Sequence, residues 1–185
     1  MRLRNIFILL AILLALGGYY YFSNIPEPPA IPEPILYVWN TDVDTIEHIE
    51  IRLLHEDKGQ AFIKIPEEGK YPWYFDDQER SEVSTTRWGG IPMLLSRPGA
   101  DRPIAQNVTP EKLAVFGLSQ PQMEINLGLE DGNIINIKVG NSAPDGHAFY
   151  VQLPNTKDVA LIDNTWYEVV ERLVTEPPYV IPEEE

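Results

Sequence analysis

The residues best able to do chemistry are the three histidines, His48, His55 and His147. His48 and His55 lie seven positions apart in strand-like sequence, so a continuous strand would turn them to opposite faces. No His-Glu-x-x-His spacing occurs, and a zinc site would have to join His147 to a distant carboxylate. The adjacent acids Glu67-Glu68, Asp76-Asp77 and Glu183-Glu184-Glu185 read as solvated surface or tail, without the spacing of a calcium loop. The serines lack the hydrolase elbow, and Gly89-Gly90 and Gly140 do not make a phosphate loop. With no cysteine, disulfides, thiolate nucleophiles and iron–sulfur clusters are excluded. Asn107-Val108-Thr109 matches a glycosylation acceptor only formally, because Thr109 already suits a helix cap. The expectation is a protein that is not an enzyme and holds no metal or cofactor.

The charge balance narrows the partners. The chain has 28 acidic and 14 basic residues, for a net charge of -14. Arg2 and Arg4 precede the hydrophobic segment, so the rest carries about -16. Such a field repels phosphate backbones and anionic lipid, which argues against nucleic acid and favours a basic partner or none.

What must position this domain is its N-terminal segment. Ile6 to Phe22 is uncharged and mostly apolar, and as a helix would be about 26 Å long, at the short end of a membrane span. Tyr19, Tyr20 and Tyr21 suit the headgroup level, and Arg2 and Arg4 place the N-terminus in the cytoplasm by the positive-inside rule. Residues 1–24 therefore read as a cytoplasmic tip and single-pass anchor in the cell membrane, with the domain on the extracytoplasmic side. The competing readings are a signal peptide cleaved before Gly18, and a buried core helix. Pro26, Pro28, Pro29, Pro32 and Pro34 make residues 25–34 an extended spacer, with Glu27 and Glu33 keeping it solvated.

Residues 35–176 read as an α+β domain of antiparallel hairpins with short helices packed on the sheet. Ile35 to Trp39 reads as a short strand. Ile49, Ile51 and Leu53 alternate with Glu50 and Arg52, and Phe62 to Ile65 returns after an Asp57-Lys58-Gly59 turn. Tyr71 to Phe75 suits an edge, because Pro72 cannot donate within a central strand. Trp88, Ile91, Leu94 and Leu95 show helical spacing interrupted by Gly89, Gly90 and Pro92. Thr109-Pro110 starts a helix with a capping hydroxyl, Leu113 and Phe116 face inward, and Gly117 stops it. Met123 to Leu129 and Ile135 to Val139 form a hairpin across Asp131-Gly132. Two further strands, Ala148 to Leu153 and Val159 to Ile162, precede a closing helix carrying Trp166, Val169, Val170 and Leu173. Residues 177–185 read as a loose acidic tail. Each half offers a hairpin, more extended structure and a helical segment, an outline compatible with an internal duplication.

Leu113-Ala114-Val115-Phe116-Gly117-Leu118-Ser119-Gln120-Pro121, then Asp131-Gly132, Val139-Gly140 and Ala148-Phe149-Tyr150-Val151, resemble the bacterial domain-of-unknown-function family numbered 4340. Trp73, following the first hairpin, fits the same pattern, and the resemblance spans about residues 35–175. It implies a membrane-tethered extracytoplasmic domain without catalytic residues, similar to auxiliary components of transporters. Trp88-Gly89-Gly90-Ile91-Pro92 departs from the family pattern. Without the family, the motif reads as a structural corner: Gly117 ends the helix, Leu118 packs back on it, and Pro121 leads into the strand.

These readings converge on a non-catalytic accessory or structural subunit of a larger membrane complex, its partner unidentified, touching the bilayer through residues 6–22. The runner-up is a solute- or glycan-binding module associated with a transporter. Trp73, Tyr74, Phe75, Trp88 and Ile91 are the exposed-contact candidates, because aromatics enrich interfaces; core packing is their competing role.

Overall fold

The computed structural model describes residues 3–23, 37–67, 72–100 and 102–180. The chain divides into two compact units, Met1–Pro34 and Ile35–Glu185. In the first, α1 (Leu3–Ser23) is a helix whose described apolar side chains are exposed, Leu13 at 68 %. Among the described residues no helix is long and apolar enough to cross a membrane. The spanning helix expected from the sequence is thus not supported by the structure. The apolar run from Ile6 to Phe22 extends past the described side chains of α1, which cover positions 7, 8 and 10–20. The proline spacer lies outside the described residues.

The second unit is built on alternation. In β1 (Ile46–Leu53), β5 (Met123–Leu129) and β6 (Ile134–Ser142), apolar residues at every second position share one face, which Phe62 of β2 (Lys58–Lys64) joins. With β3 (Trp73–Phe75), β4 (Arg102–Ala105), β7 (Ala148–Gln152) and β8 (Val159–Asp163) they form one antiparallel eight-stranded sheet, in the order β3-β2-β1-β5-β6-β7-β8-β4. Its register aligns apolar rows across the strands. Ile51, Ile125 and Ile137 form one row, and Phe75, Phe62, Ile49, Leu127 and Ile135 form another. This face is covered by α2 (Thr85–Trp88), α3 (Ile91–Ser96) and α5 (Asn164–Thr175), whose Trp88, Leu95 and Val170 join the main core. The α+β class and the antiparallel hairpins expected from the sequence are what the structure contains.

The helical stretch from Ser84 to Ser96 breaks in two where Gly90 takes φ +84°, a conformation a side chain resists, and Pro92 then opens α3. Asp163 caps α5 by accepting the Thr165 N–H at 2.7 Å. On α5, Tyr167 stacks against Phe149 with ring centroids 3.9 Å apart. Burial first, and then the nearby Glu171 and Glu56 carboxylates, push its hydroxyl up to about 12.

Two expectations need correction, and one strand was not foreseen. The described part of Ile35 to Trp39, residues 37–39, is not a strand: it makes one bridge, Tyr37 to Gly99, and Val38 N–H turns to the loop after α3, donating to Pro98 O at 3.0 Å. The loop thus satisfies backbone that a strand ladder would otherwise pair. Trp39 anchors the segment, donating to Leu95 O at 2.8 Å and packing edge-on against Trp166. The edge strand β4, which has no alternating signature, pairs with β8 around a register shift at Pro103. Finally, residues 177–179 of the tail read as loose are held against the domain, while 181–185 lie outside the described residues.

Candidate interaction surfaces

The structure gathers the five contact candidates, but inside the domain. Trp73, Tyr74, Phe75 and Ile91 are buried, and Trp88 is 0 % exposed. Trp88 packs on Phe62 at 4.3 Å and Trp73 at 5.4 Å between ring centroids, and Phe62 on Phe75 at 5.2 Å. An exposed docking patch made of these residues is therefore corrected to buried packing, with Trp73, Phe75, Trp88 and Ile91 in the main core and Tyr74 buried apart from it. The physical reason is the register: Trp73 and Phe75 alternate onto the covered face of β3, opposite Lys64 and Phe62. The Trp88 Nε1 is buried without a hydrogen-bond partner among the described residues, an arrangement that costs free energy.

The motif residues form a corner. Thr109 precedes α4 (Pro110–Val115), with Pro110 in its first turn. The Thr109 hydroxyl does not cap the backbone as expected. It meets the Glu111 carboxylate, which its own backbone N–H and then Thr109 hold below the usual range. At the other end Gly117 takes φ +74°, and Leu118 N–H returns to Leu113 O at 2.9 Å. The corner presses on β6, where Asn141 N–H donates to Phe116 O at 2.8 Å. A Cβ on Gly140 would overlap the Phe116 carbonyl, and one on Gly117 would lie 2.8 Å from the Asn141 nitrogen. Leu118 is buried with Val108 and Val159; Phe116 packs on Tyr150 at 4.6 Å; Pro121, half-buried, leads towards β5. The motif's Phe-Gly-Leu and Val-Gly are thus two sides of one backbone contact.

This corner covers only the β7–β8 end of the second sheet face. Across β1, β5 and β6 that face carries polar side chains in register. Arg52, Glu124 and Lys138 make one cross-strand row; Glu50, Asn126 and Asn136 make the next. Asn126 Nδ2 donates to Glu50 Oε2 at 2.9 Å, and Asn136 Nδ2 donates to Asn126 Oδ1 at 2.7 Å and Glu124 Oε1 at 3.2 Å. Beside them the small Gly59 and Ala61 leave a hollow of about 280 Å³, bordered also by Glu50, Arg52, Gln60 and Asp76. A second hollow, of about 150 Å³, lies by Asn136, Lys138 and Gln152.

At one margin His48 Nε2 lies 3.0 Å from Asp76 Oδ2, and Arg80 pairs with the other carboxylate oxygen. Partial burial alone would raise Asp76. The His48 and Arg80 hydrogen bonds and charges outweigh it and hold the carboxyl below its ordinary range. His55 sits in the β1–β2 turn and His147 before β7, so the three histidines do not converge. Among the described residues no group of three or more histidines and carboxylates is arranged to hold a metal ion. The polar face was missed because its residues read singly as solvent-facing positions; the signal was their shared register.

The comparisons with known proteins bear on the corner half. Residues 97–172 match the family described as "Domain of unknown function (DUF4340)". The resemblance carried by the Phe-Gly-Leu and Val-Gly motifs is therefore shown, over a stretch running from β4 into α5. No curated protein and no solved structure matches the chain.

Proposed function

We propose that the chain is a non-catalytic accessory or structural subunit of a larger membrane complex, anchored through α1 and placing its sheet domain on the extracytoplasmic side. The observation that carries this reading is the contrast between the units. The described apolar side chains of α1 are exposed, whereas the sheet domain buries its large apolar residues in a core of its own. A bilayer would cover the first, and tethering the second raises its effective concentration for a membrane neighbour. Arg2 and Arg4 favour a cytoplasmic N-terminus. With the aromatics buried, the polar face of β1, β5 and β6 becomes the docking surface. Purification of the tagged full-length protein in mild detergent tests this. A stoichiometric membrane partner, lost on Asn126→Arg with folding intact, is the expected result. A monodisperse monomer in several gentle detergents would overturn it.

The second reading is a solute- or glycan-binding module, favoured by the Glu50–Asn126–Asn136–Glu124 lattice, since paired amides and carboxylates suit hydroxyl groups. Titration with neutral oligosaccharides separates the two: saturable binding without a protein partner selects the module.

A further inference from the structure

The C-terminal segment beyond α5 is held as a bound peptide would be. Arg87 spreads its guanidinium over two successive carbonyls, Nη2 donating to Glu176 O at 2.7 Å and Nη1 to Pro177 O at 3.0 Å. Ser84 N–H donates to Pro178 O at 2.8 Å, and Val83 bridges to Tyr179 in antiparallel fashion. The Tyr179 ring stacks on Phe75 with centroids 4.3 Å apart and planes 18° from parallel. Prolines have no N–H, so an extended proline segment can be read only through its carbonyls and its flat ring faces. A rigid guanidinium fork and one backbone donor supply the carbonyl readout, and Phe75 holds the strap further by stacking on Tyr179. Beside the strap lies a hollow of about 270 Å³, bordered by Arg87, Arg172, Ile91 and Leu173, with room for a larger segment.

The same peptide chemistry occurs a second time in this chain. The strap and its continuation read Glu176-Pro177-Pro178-Tyr179-Val180-Ile181-Pro182-Glu183, and the spacer reads Glu27-Pro28-Pro29-Ala30-Ile31-Pro32-Glu33. Both run Glu-Pro-Pro and then Ile-Pro-Glu, with one residue more between them in the strap.

We infer that the groove formed by Phe75, Val83, Ser84 and Arg87 is a binding site for Glu-Pro-Pro segments, occupied here in cis by residues 176–179, and that its ligand in trans is residues 27–33 of a second copy. The cis strap holds the site by its high effective concentration, so trans occupancy requires the strap to be weakened. Exchange would link two chains by way of their spacers. It does not depend on the accessory-subunit reading, because the groove lies on another part of the domain from the polar face.

The test uses full-length chains in detergent and a synthetic peptide of residues 26–34. Tyr179→Ala removes the ring that anchors the strap and leaves the fork in place. The expected result is peptide binding at least about tenfold tighter to Tyr179→Ala than to wild type. Binding should be lost on adding Arg87→Ala, weakened on adding Arg87→Lys, and absent for a scrambled peptide. Differently tagged Tyr179→Ala chains should also co-purify. Equal binding of the ordered and scrambled peptides overturns the site, and peptide binding by chains that stay monomeric overturns the second-copy ligand. Should Tyr179→Ala not fold, the milder Tyr179→Leu takes its place with the same two peptides. Ordered-peptide binding tighter than to wild type supports exchange, and binding no tighter than to wild type overturns it.

Discussion

The two halves of the sheet domain follow one plan and fill it differently. The first places a short 3-10 turn before β1, continues through β2 and β3, and closes with α2 and α3; the second places α4 before β5, continues through β6, β7 and β8, and closes with α5. They meet at the antiparallel β1–β5 pair and grow outward in opposite directions, as a local two-fold normal to the sheet would arrange them. The first half packs one face with large rings, Phe62, Trp73, Phe75 and Trp88. The second puts aliphatic residues with Phe149, Trp166 and Tyr167 on that face and spends Gly117 and Gly140 on covering the other. Both halves thus rest on side-chain volume, and the second adds a close backbone approach. The polar face remains open only between them.

The largest break in this comparison is expected from Trp88→Ala. Removing a fully buried indole from the ring cluster should cost about 3–5 kcal/mol in denaturant unfolding. Trp88→Phe should cost less, since it removes the unpartnered Nε1 along with part of the volume. Next comes Gly140→Ala, where one methyl meets the Phe116 carbonyl; overpacking of this kind costs about 1–3 kcal/mol. Gly117→Val should act in the same direction and lower the melting temperature, through positive φ and contact with Asn141. If both halves relied on side-chain volume alone, the methyl at Gly140 would be tolerated as well as one at an exposed site.

A smaller effect is expected at the α5 cap. Asp163→Ala leaves the Thr165 N–H without its acceptor and should cost about 1 kcal/mol, whereas Asp163→Asn should cost little. The smallest is a pH effect at the margin of the open face. Because the folded state lowers the Asp76 pKa, its contribution is present above the ordinary carboxylate value of 3.8 and is lost as pH falls through the folded value. Asp76→Asn should therefore shift stability measurably at neutral pH and progressively less as pH falls below the ordinary carboxylate value, read by melting curves across the acid range. A shift that does not change with pH would mean that the His48–Asp76–Arg80 group adds nothing through its charge.

Strong periodicity was legible. The alternation in Ile49 to Leu53 and in Met123 to Leu129 yields β1 and β5, and Thr109-Pro110 with Gly117 bounds the corner helix, as read from the sequence. β4 was not legible, because its four residues include a proline and take their place only by pairing with β8. Nor was the fate of Ile35 to Trp39, whose apolar run suits a strand yet whose described residues bond to the loop after α3.

Local sequence determined the hairpins, the bounds of the corner helix and the left-handed Gly117, because those depend on contacts within a few residues. It also determined the net charge and the apolar N-terminal run. Only the tertiary structure decided that β1 and β5 pair across the middle of the sheet, with the residues between them reaching from the β1–β2 turn to the corner. That pairing selects which alternate residues face the helices. It therefore buries Trp73, Phe75 and Trp88, whose sequence equally suits an exposed contact, and leaves Glu50, Asn126 and Asn136 side by side in the open. A side chain's type sets what it can bind, but its partner strands set whether anything can reach it.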